Sequence, residues 1–147
     1  MGSTIAEAWR LARRATADAA AIVLPELCAG CLEPGALLCA ACLRALAPNP
    51  VRIAIPGEDL EVWAGVPFAG PAASVLRAVK RDARPRLARH LAPALASALR
   101  ELARSTGAAP ASLVAVPIPS STKSLRARGF RVVDLVTRRA GVRPHRL

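Results

Sequence analysis

Two short stretches, Cys28-Ala29-Gly30-Cys31 and Cys39-Ala40-Ala41-Cys42, contain all four cysteines of this chain and form two C-x2-C pairs with seven residues between them. Each pair can place two sulfur atoms on one side of a tight turn, and Gly30 eases the first turn. Pro34 and Gly35 predict a hairpin turn that brings the pairs together. Four thiolates fill the tetrahedral shell that Zn²⁺ prefers and leave no position for substrate. The sequence therefore predicts a structural zinc site formed by Cys28, Cys31, Cys39 and Cys42.

Two other uses of paired cysteines compete with zinc. A thioredoxin-like C-x-x-C normally opens a helix after a strand, and one pair would suffice for that redox chemistry. Two structural disulfides would require an oxidising compartment. An Ala-rich run does precede Cys28, but Asp18 interrupts it and Glu26-Leu27 stand where an export signal needs small residues. We therefore favour zinc and a cytoplasmic location.

Outward from the cysteines, the chain divides into three regions. Residues 4–23 have the spacing of an amphipathic helix that Pro25 ends, which predicts an N-terminal helix region over 1–25. The zinc ribbon follows, and after it comes a Pro-rich and Gly-rich segment in which neither a helix nor a strand pattern persists. We assign this linker and the ribbon to the region 26–58. Patterns of regular secondary structure return in the region 59–147.

Region 59–147 alternates strand and helix patterns. The predicted elements are strand 62–68, helix 71–82, helix 86–105, strand 113–118, basic loop 120–129 and helix 132–140. This order is typical of an α/β fold with parallel strands. Two strands are too few for such a sheet, so we expect a partial domain that a homodimer or another partner completes.

Composition narrows the function without deciding it. Among 147 residues, 21 Lys plus Arg stand against 10 Asp plus Glu, which gives a net charge of +11, and 53% of the residues are hydrophobic. That apolar fraction excludes a disordered polyelectrolyte, and the absence of an uncharged apolar run of about 18 to 20 residues predicts no membrane span. The charge favours a phosphorylated small molecule or nucleic acid as partner. A base-composition bias toward Arg explains the same charge equally well.

Four segments together resemble the ComF family of competence-related, phosphoribosyltransferase-like proteins. The cysteine region from Leu24 to Cys42 resembles the zinc-ribbon head of that family. The other three segments follow in the same order as in the family. They are Val75-Leu76-Arg77-Ala78-Val79-Lys80, Leu113-Val114-Ala115-Val116-Pro117-Ile118-Pro119 and Arg126-Ala127-Arg128-Gly129-Phe130. The resemblance extends from about residue 24 to residue 140.

This resemblance implies the first half of a type I phosphoribosyltransferase-like domain, in which phosphoribosyl pyrophosphate binds at the carboxyl ends of the strands. On that analogy, the turn after Pro119 faces the pyrophosphate. Hydroxyl and cationic groups suited to phosphate oxygens follow this proline in Ser120, Ser121, Lys123, Arg126 and Arg128. A solvated basic loop without a ligand explains each of these residues taken singly.

The chain also departs from the family's pattern. Family members carry an acidic pair and a T-T-G-x-T loop, which hold the ribose hydroxyls and the 5′-phosphate. After Glu101 this chain has one carboxylate, Asp134, and Arg131 stands where the family has Asn. We therefore expect a truncated member or a split half without catalytic residues of its own. Mg²⁺ and phosphoribosyl pyrophosphate are expected only in a full-length relative.

Two functions follow from these patterns. The resemblance implies a ComF-type protein related to DNA uptake or nucleotide metabolism, which is not catalytically competent as this chain alone. The alternative is a zinc-stabilised basic module for nucleic-acid binding or assembly, without enzymatic activity. Basic clusters between Arg77 and Arg89 and between Lys123 and Arg146 would then supply salt-dependent phosphate contacts.

Overall fold

The computed structural model describes Glu7, residues 26–109 and residues 112–145. Apart from Glu7, the predicted N-terminal helix region 1–25 lies outside the described residues. The described helices are α1 (Ala40–Ala45), α2 (Gly70–Arg81), α3 (Ala88–Thr106), α4 (Thr122–Arg128) and α5 (Val132–Arg139), with a 3₁₀ turn at Pro85–Leu87. Two strands, β1 (Val51–Ile53) and β2 (Val62–Ala64), pair antiparallel. None of the helices in these ranges has the length and apolar character that crossing a bilayer requires.

Three predicted helices are confirmed in α2, α3 and α5. Pro71 lies in the first turn of α2, where its missing N–H would have no partner within the helix. The apolar positions that recur every three or four residues in α3 include the buried Leu91, and Gly107 ends this helix in a left-handed conformation with a φ of 67°. Helical periodicity was therefore a sufficient signal wherever the helix presents one apolar face to a core.

The core lies among α2, the 3₁₀ turn, α3 and α5. Val75 and Leu87 are fully buried, and Val132 from α5 belongs to the same cluster. Ala29, from the first cysteine pair, and Leu46, directly after α1, also belong to it. The cysteine region is therefore packed onto the helices and shares their core.

The observed sheet differs from the predicted parallel arrangement. Strand β1 lies within the segment predicted as a linker, and its three exposed residues pair antiparallel with β2, Val51 opposite Ala64. A strand of three residues between Pro50 and Pro56 is too short for alternating polarity to reveal it. The predicted strand 62–68 is correct only as far as Ala64. Across the described ranges, the fold is mixed, with helices and one small antiparallel sheet.

The predicted strand 113–118 lacks the ladder of a strand and pairs at one position. Ala115 forms a parallel bridge with Pro144, and the His145 N–H donates to the Ala115 carbonyl oxygen at 2.7 Å. Helices α4 and α5 lie between these two positions in the chain, whereas the predicted order had a loop, one helix and no pairing partner after it. Ile118 is 85% exposed. The homodimer or partner expected to complete a sheet here stays a prediction.

The basic loop predicted over 120–129 is wrong, because Thr122–Arg128 forms α4. Ser121 caps this helix, and its Oγ accepts a hydrogen bond from the Ser124 N–H at 3.2 Å. Gly129 ends it with a left-handed φ of 75°. Clusters of Ser and Thr favour turns and helix N-termini alike, so composition predicted a loop where the residues in fact cap a helix.

Candidate metal centre

The first cysteine pair lies on a turn that backbone hydrogen bonds close. The Cys28 N–H donates to the Glu33 carbonyl oxygen at 2.8 Å, and Leu27 forms an antiparallel bridge with Pro34 directly outside this bond. The prediction that Pro34 and Gly35 supply the hairpin turn is therefore wrong. The chain reverses within residues 28–33, which include the C-x2-C sequence, so Pro34 and Gly35 lie after the turn.

The second pair lies at the start of α1 rather than on a tight turn. Cys39 is the N-cap of α1, and its Sγ accepts a hydrogen bond from the Cys42 N–H at 3.5 Å. Cys42 lies in the first helical turn and is buried. The Cys39 N–H also donates to the Sγ of Cys28 at 3.3 Å. The start of α1 thus brings the second pair of sulfur atoms next to the first.

The four sulfur atoms lie within 4.8 Å of one another, and the Sγ atoms of Cys31 and Cys39 are 3.8 Å apart. A tetrahedral zinc site with Zn–S distances of about 2.3 Å has sulfur–sulfur edges of about 3.8 Å. All four cysteines are free thiols, and no disulfide joins them. The cluster of donors therefore fits a single tetrahedral metal ion.

The thiols differ in how readily they ionise. Burial raises the pKa of Cys28, but hydrogen bonds from the backbone N–H groups of Cys39, Cys31 and Gly30 outweigh it and lower this pKa to about 6. Burial and the neighbouring thiols raise the pKa of Cys42 far above its ordinary value of 9.0. One thiolate is thus favoured, while Cys42 is held as a thiol. A divalent cation among the sulfur atoms would favour all four thiolates at once.

Gly30 permits the close approach of the two pairs. A Cβ atom at this position would lie 2.6 Å from the Sγ and 2.8 Å from the Cβ of Cys42. Non-bonded carbon atoms optimally lie about 3.5–4.0 Å apart, so a side chain at residue 30 would displace the buried cysteine. The reason for a glycine is therefore steric and not the turn flexibility that the sequence suggests.

Arg84 connects the first cysteine turn to the 3₁₀ turn before α3. Its Nη1 and Nη2 both donate to the Leu27 carbonyl oxygen at 3.2 Å, and Nη2 lies 3.6 Å from the Glu26 carboxylate. No role at the cysteines was predicted for Arg84. Because 57 residues separate it from Leu27, no local pattern could have indicated this contact.

Helix α4 carries most of the predicted phosphate-binding residues. Lys123 and Arg126 are exposed on it, and Ser120 is half-buried before it. Ser121 caps the helix, and its hydroxyl lies 2.9 Å from the Ser124 hydroxyl. The hydroxyl of Ser121 therefore already has local partners, while the two cations are open to an anion.

Arg128, the last residue of α4, contacts the end of α2. Its Nη1 donates to the Lys80 carbonyl oxygen at 3.2 Å, and its buried Nε has no hydrogen-bond partner among the described residues. This contact brings α4 next to Lys80 and Arg81, which the sequence shows as a separate basic cluster. Earlier on α2, the guanidinium of Arg77 lies 5.4 Å from the ring centroid of Phe68, which is 66% exposed.

Comparisons of the chain with protein families, with curated proteins and with solved structures found no match. The resemblance to the ComF family therefore stays a prediction.

Proposed function

We propose that this chain is a zinc protein in which Cys28, Cys31, Cys39 and Cys42 bind one Zn²⁺ as a closed structural site. The observation that carries the proposal is the mutual distance of the four Sγ atoms, all within 4.8 Å. Thiolates favour zinc over Mg²⁺ and Ca²⁺, which prefer oxygen ligands. Four protein ligands leave no position for a reacting water, so the ion stabilises the fold.

Zinc at this position would hold together two segments that contribute to one core. Ala29 lies on the turn of the first pair, and Leu46 follows the helix that carries Cys42. Both residues belong to the buried cluster that contains Val75 of α2. An ion that fixes the turn against α1 therefore also fixes these two residues against the helices.

The metal content of the purified chain tests this proposal. We expect about one zinc per chain after purification under reducing conditions, and a loss of most of it in Cys42→Ser. Ala41→Ser is the matched control, because Ala41 is exposed between the ligands and the change adds the same hydroxyl without removing a sulfur. A native chain without metal, or Cys42→Ser with full zinc content, would contradict the proposal.

We infer further that the chain is a ComF-type, phosphoribosyltransferase-like protein, which binds phosphorylated small molecules but does not transfer phosphoribosyl groups as this chain alone. The parallel bridge between Ala115 and Pro144 supports the α/β part of this proposal. The exposed Lys123 and Arg126 follow the bridged segment and suit phosphate oxygens. The single carboxylate after Glu101 is the reason for expecting no transfer.

Calorimetric titration with phosphoribosyl pyrophosphate, and separately with inorganic pyrophosphate, tests this second step. We expect Lys123→Ala/Arg126→Ala to weaken binding at least about tenfold, since each charge-assisted hydrogen bond contributes about 1.5–3 kcal/mol. Arg138→Ala/Arg139→Ala removes the same charge from exposed positions at the end of α5 and serves as the control. No binding to the native chain, or equal losses in the two variants, would contradict the proposal.

A second candidate function is non-specific nucleic-acid binding. The contact of Arg128 with the Lys80 carbonyl supports it, because it joins the basic residues of α2 and α4 into one surface. The Arg77–Phe68 pair adds an exposed aromatic ring on which a base can stack. Binding to single strands and duplexes should then fall about 10³-fold or more between 50 and 200 mM salt if six or more phosphates are engaged. Absence of binding at the lower salt would remove this candidate.

A further inference from the structure

The four-cysteine cluster has a buried side and an exposed side. Cys28 is fully buried and Cys42 is 4% exposed. Cys39 is half-buried and Cys31 is exposed. The Sγ of Cys28 is also covered by two backbone N–H groups, from Gly30 at 3.4 Å and from Cys39 at 3.3 Å. A small oxidant in solution would therefore reach Cys31 first and Cys39 next.

The two outer sulfur atoms are already close enough to pair. They are 3.8 Å apart, and a disulfide bond of about 2.05 Å needs them to approach by less than about 2 Å. The loop between Cys31 and Cys39 contains Gly35 in a left-handed conformation and no fully buried residue. Residues 32–35 of this loop are exposed, whereas Leu37 and Leu38 pack against the core, so the approach requires movement mainly of the exposed part of the loop.

We propose that Cys31 and Cys39 form an oxidation site, at which a peroxide converts the two outer zinc ligands into a disulfide and releases the metal. This inference rests on the proposed zinc site. The Cys31 thiolate attacks one peroxide oxygen, which gives a sulfenic acid and hydroxide. The Cys39 thiolate then displaces hydroxide from that sulfur and forms the S–S bond. Two thiolates lose two electrons in total, and the peroxide O–O bond accepts them.

The loss of zinc follows from the ligand count. A disulfide removes two of four thiolates, and the remaining pair, Cys28 and Cys42, cannot fill a tetrahedral shell. The contact of Arg84 with the Leu27 carbonyl does not involve sulfur, so the first turn stays attached to the helices through it. A thiol reductant would restore both ligands, which makes the modification reversible.

Zinc release and disulfide mapping on the full native chain test the proposal. Zinc is quantified first, hydrogen peroxide is then added, released metal is followed with a chromogenic chelator, and disulfides are identified by peptide mass spectrometry. We expect about one zinc released per disulfide formed, Cys31–Cys39 as the first disulfide, and zinc binding again after reduction. A first disulfide containing Cys28 or Cys42, or zinc retained after peroxide treatment, would overturn the oxidation site.

Alkylation of the zinc-loaded chain without peroxide gives a second readout that needs no variant. Iodoacetamide should modify Cys31 and Cys39 before Cys28 and Cys42, and excess zinc should slow the modification. Equal rates at all four cysteines would contradict the proposal. A chain that contains no metal but still forms the Cys31–Cys39 disulfide would contradict the zinc site and the release of metal but not the pairing of these two cysteines, so the two failures are distinguishable.

Discussion

At the scale of single residues, Gly30 leaves the space that the Sγ and Cβ of Cys42 occupy in the four-cysteine cluster. We expect Gly30→Ala to lower zinc affinity about 10- to 100-fold, the range seen when groups that position metal ligands are changed. The added Cβ would lie 2.6 Å from the Cys42 sulfur and must displace it or the turn. Competition with a chromogenic chelator measures the affinity.

Gly35→Ala is the control for this change. A Cβ at residue 35 meets nothing within 4 Å, although the φ of 111° strains any other residue there. It should therefore lower the free energy of unfolding by about 1–3 kcal/mol and leave the sulfur atoms unobstructed. Equal losses of zinc affinity in the two variants would contradict the steric role of Gly30.

We expect His90 to give the stability of the fold a pH dependence. Burial, and then the charge of Arg89, lower the pKa of His90 below its ordinary 6.5, and its Nε2 accepts a hydrogen bond from the Arg89 Nε at 2.9 Å. Protonation removes that acceptor, so the folded state favours the neutral ring. Stability contributed by His90 is therefore full above pH 6.5 and is lost as the pH falls from 6.5 through the lower folded pKa.

Urea unfolding at about pH 5 and pH 7.5 measures this dependence. In His90→Gln, the loss of unfolding free energy toward the lower pH should be smaller than in the native chain. His145→Gln is the control, because His145 is exposed. The cysteines are the same in the native chain, in His90→Gln and in His145→Gln, so their effect on the unfolding free energy cancels in the comparison. A native-like pH dependence in His90→Gln would contradict the prediction.

At the scale of elements, α4 depends on its cap. With seven residues it is too short to be stable by propensity alone, and the Ser121 Oγ accepts the Ser124 N–H. Ser121→Ala should lower the free energy of unfolding by about 1 kcal/mol. Thr122→Ala, at the next and exposed position, removes a hydroxyl that makes no cap and should change stability little. Equal effects in denaturant unfolding would count against the cap.

Elements were predictable from the sequence where one face is buried. The recurring leucines of α3 and the proline at the start of α2 predicted both helices closely. Strand β1 was not predictable, because its residues are all exposed and the partner found for it among residues 26–109 and 112–145 is another three-residue strand. For α4, the Ser and Thr residues at its start favour both helix caps and turns, so the sequence 120–129 supports either a helix or a loop.

At the scale of the whole molecule, the cluster of four cysteines was predictable because residue type and spacing are local properties. The long-range contacts that connect separate parts of the chain were not predictable. Arg84 and Leu27 are 57 residues apart, and Arg128 and Lys80 are 48 residues apart. The guanidinium group of each arginine donates to a backbone carbonyl oxygen. Every residue has such a carbonyl, so the sequence does not indicate which one is contacted. Long-range packing therefore had to come from the structure.

Removal of zinc should then destabilise the whole chain and not only the cysteine turn. Ala29 and Leu46 share a buried cluster with Val75 and Leu87, so losing the ion loosens residues of the common core. Zinc at a free concentration a thousand times its Kd stabilises the folded state by about 4 kcal/mol. Thermal unfolding followed at the far-UV helix signal should therefore shift to lower temperature with EDTA and recover with added zinc. Magnesium is the control, because thiolate ligands do not favour it. A helix signal that melts at the same temperature with and without EDTA, while zinc is shown to leave, would mean that the metal site and the helices unfold independently.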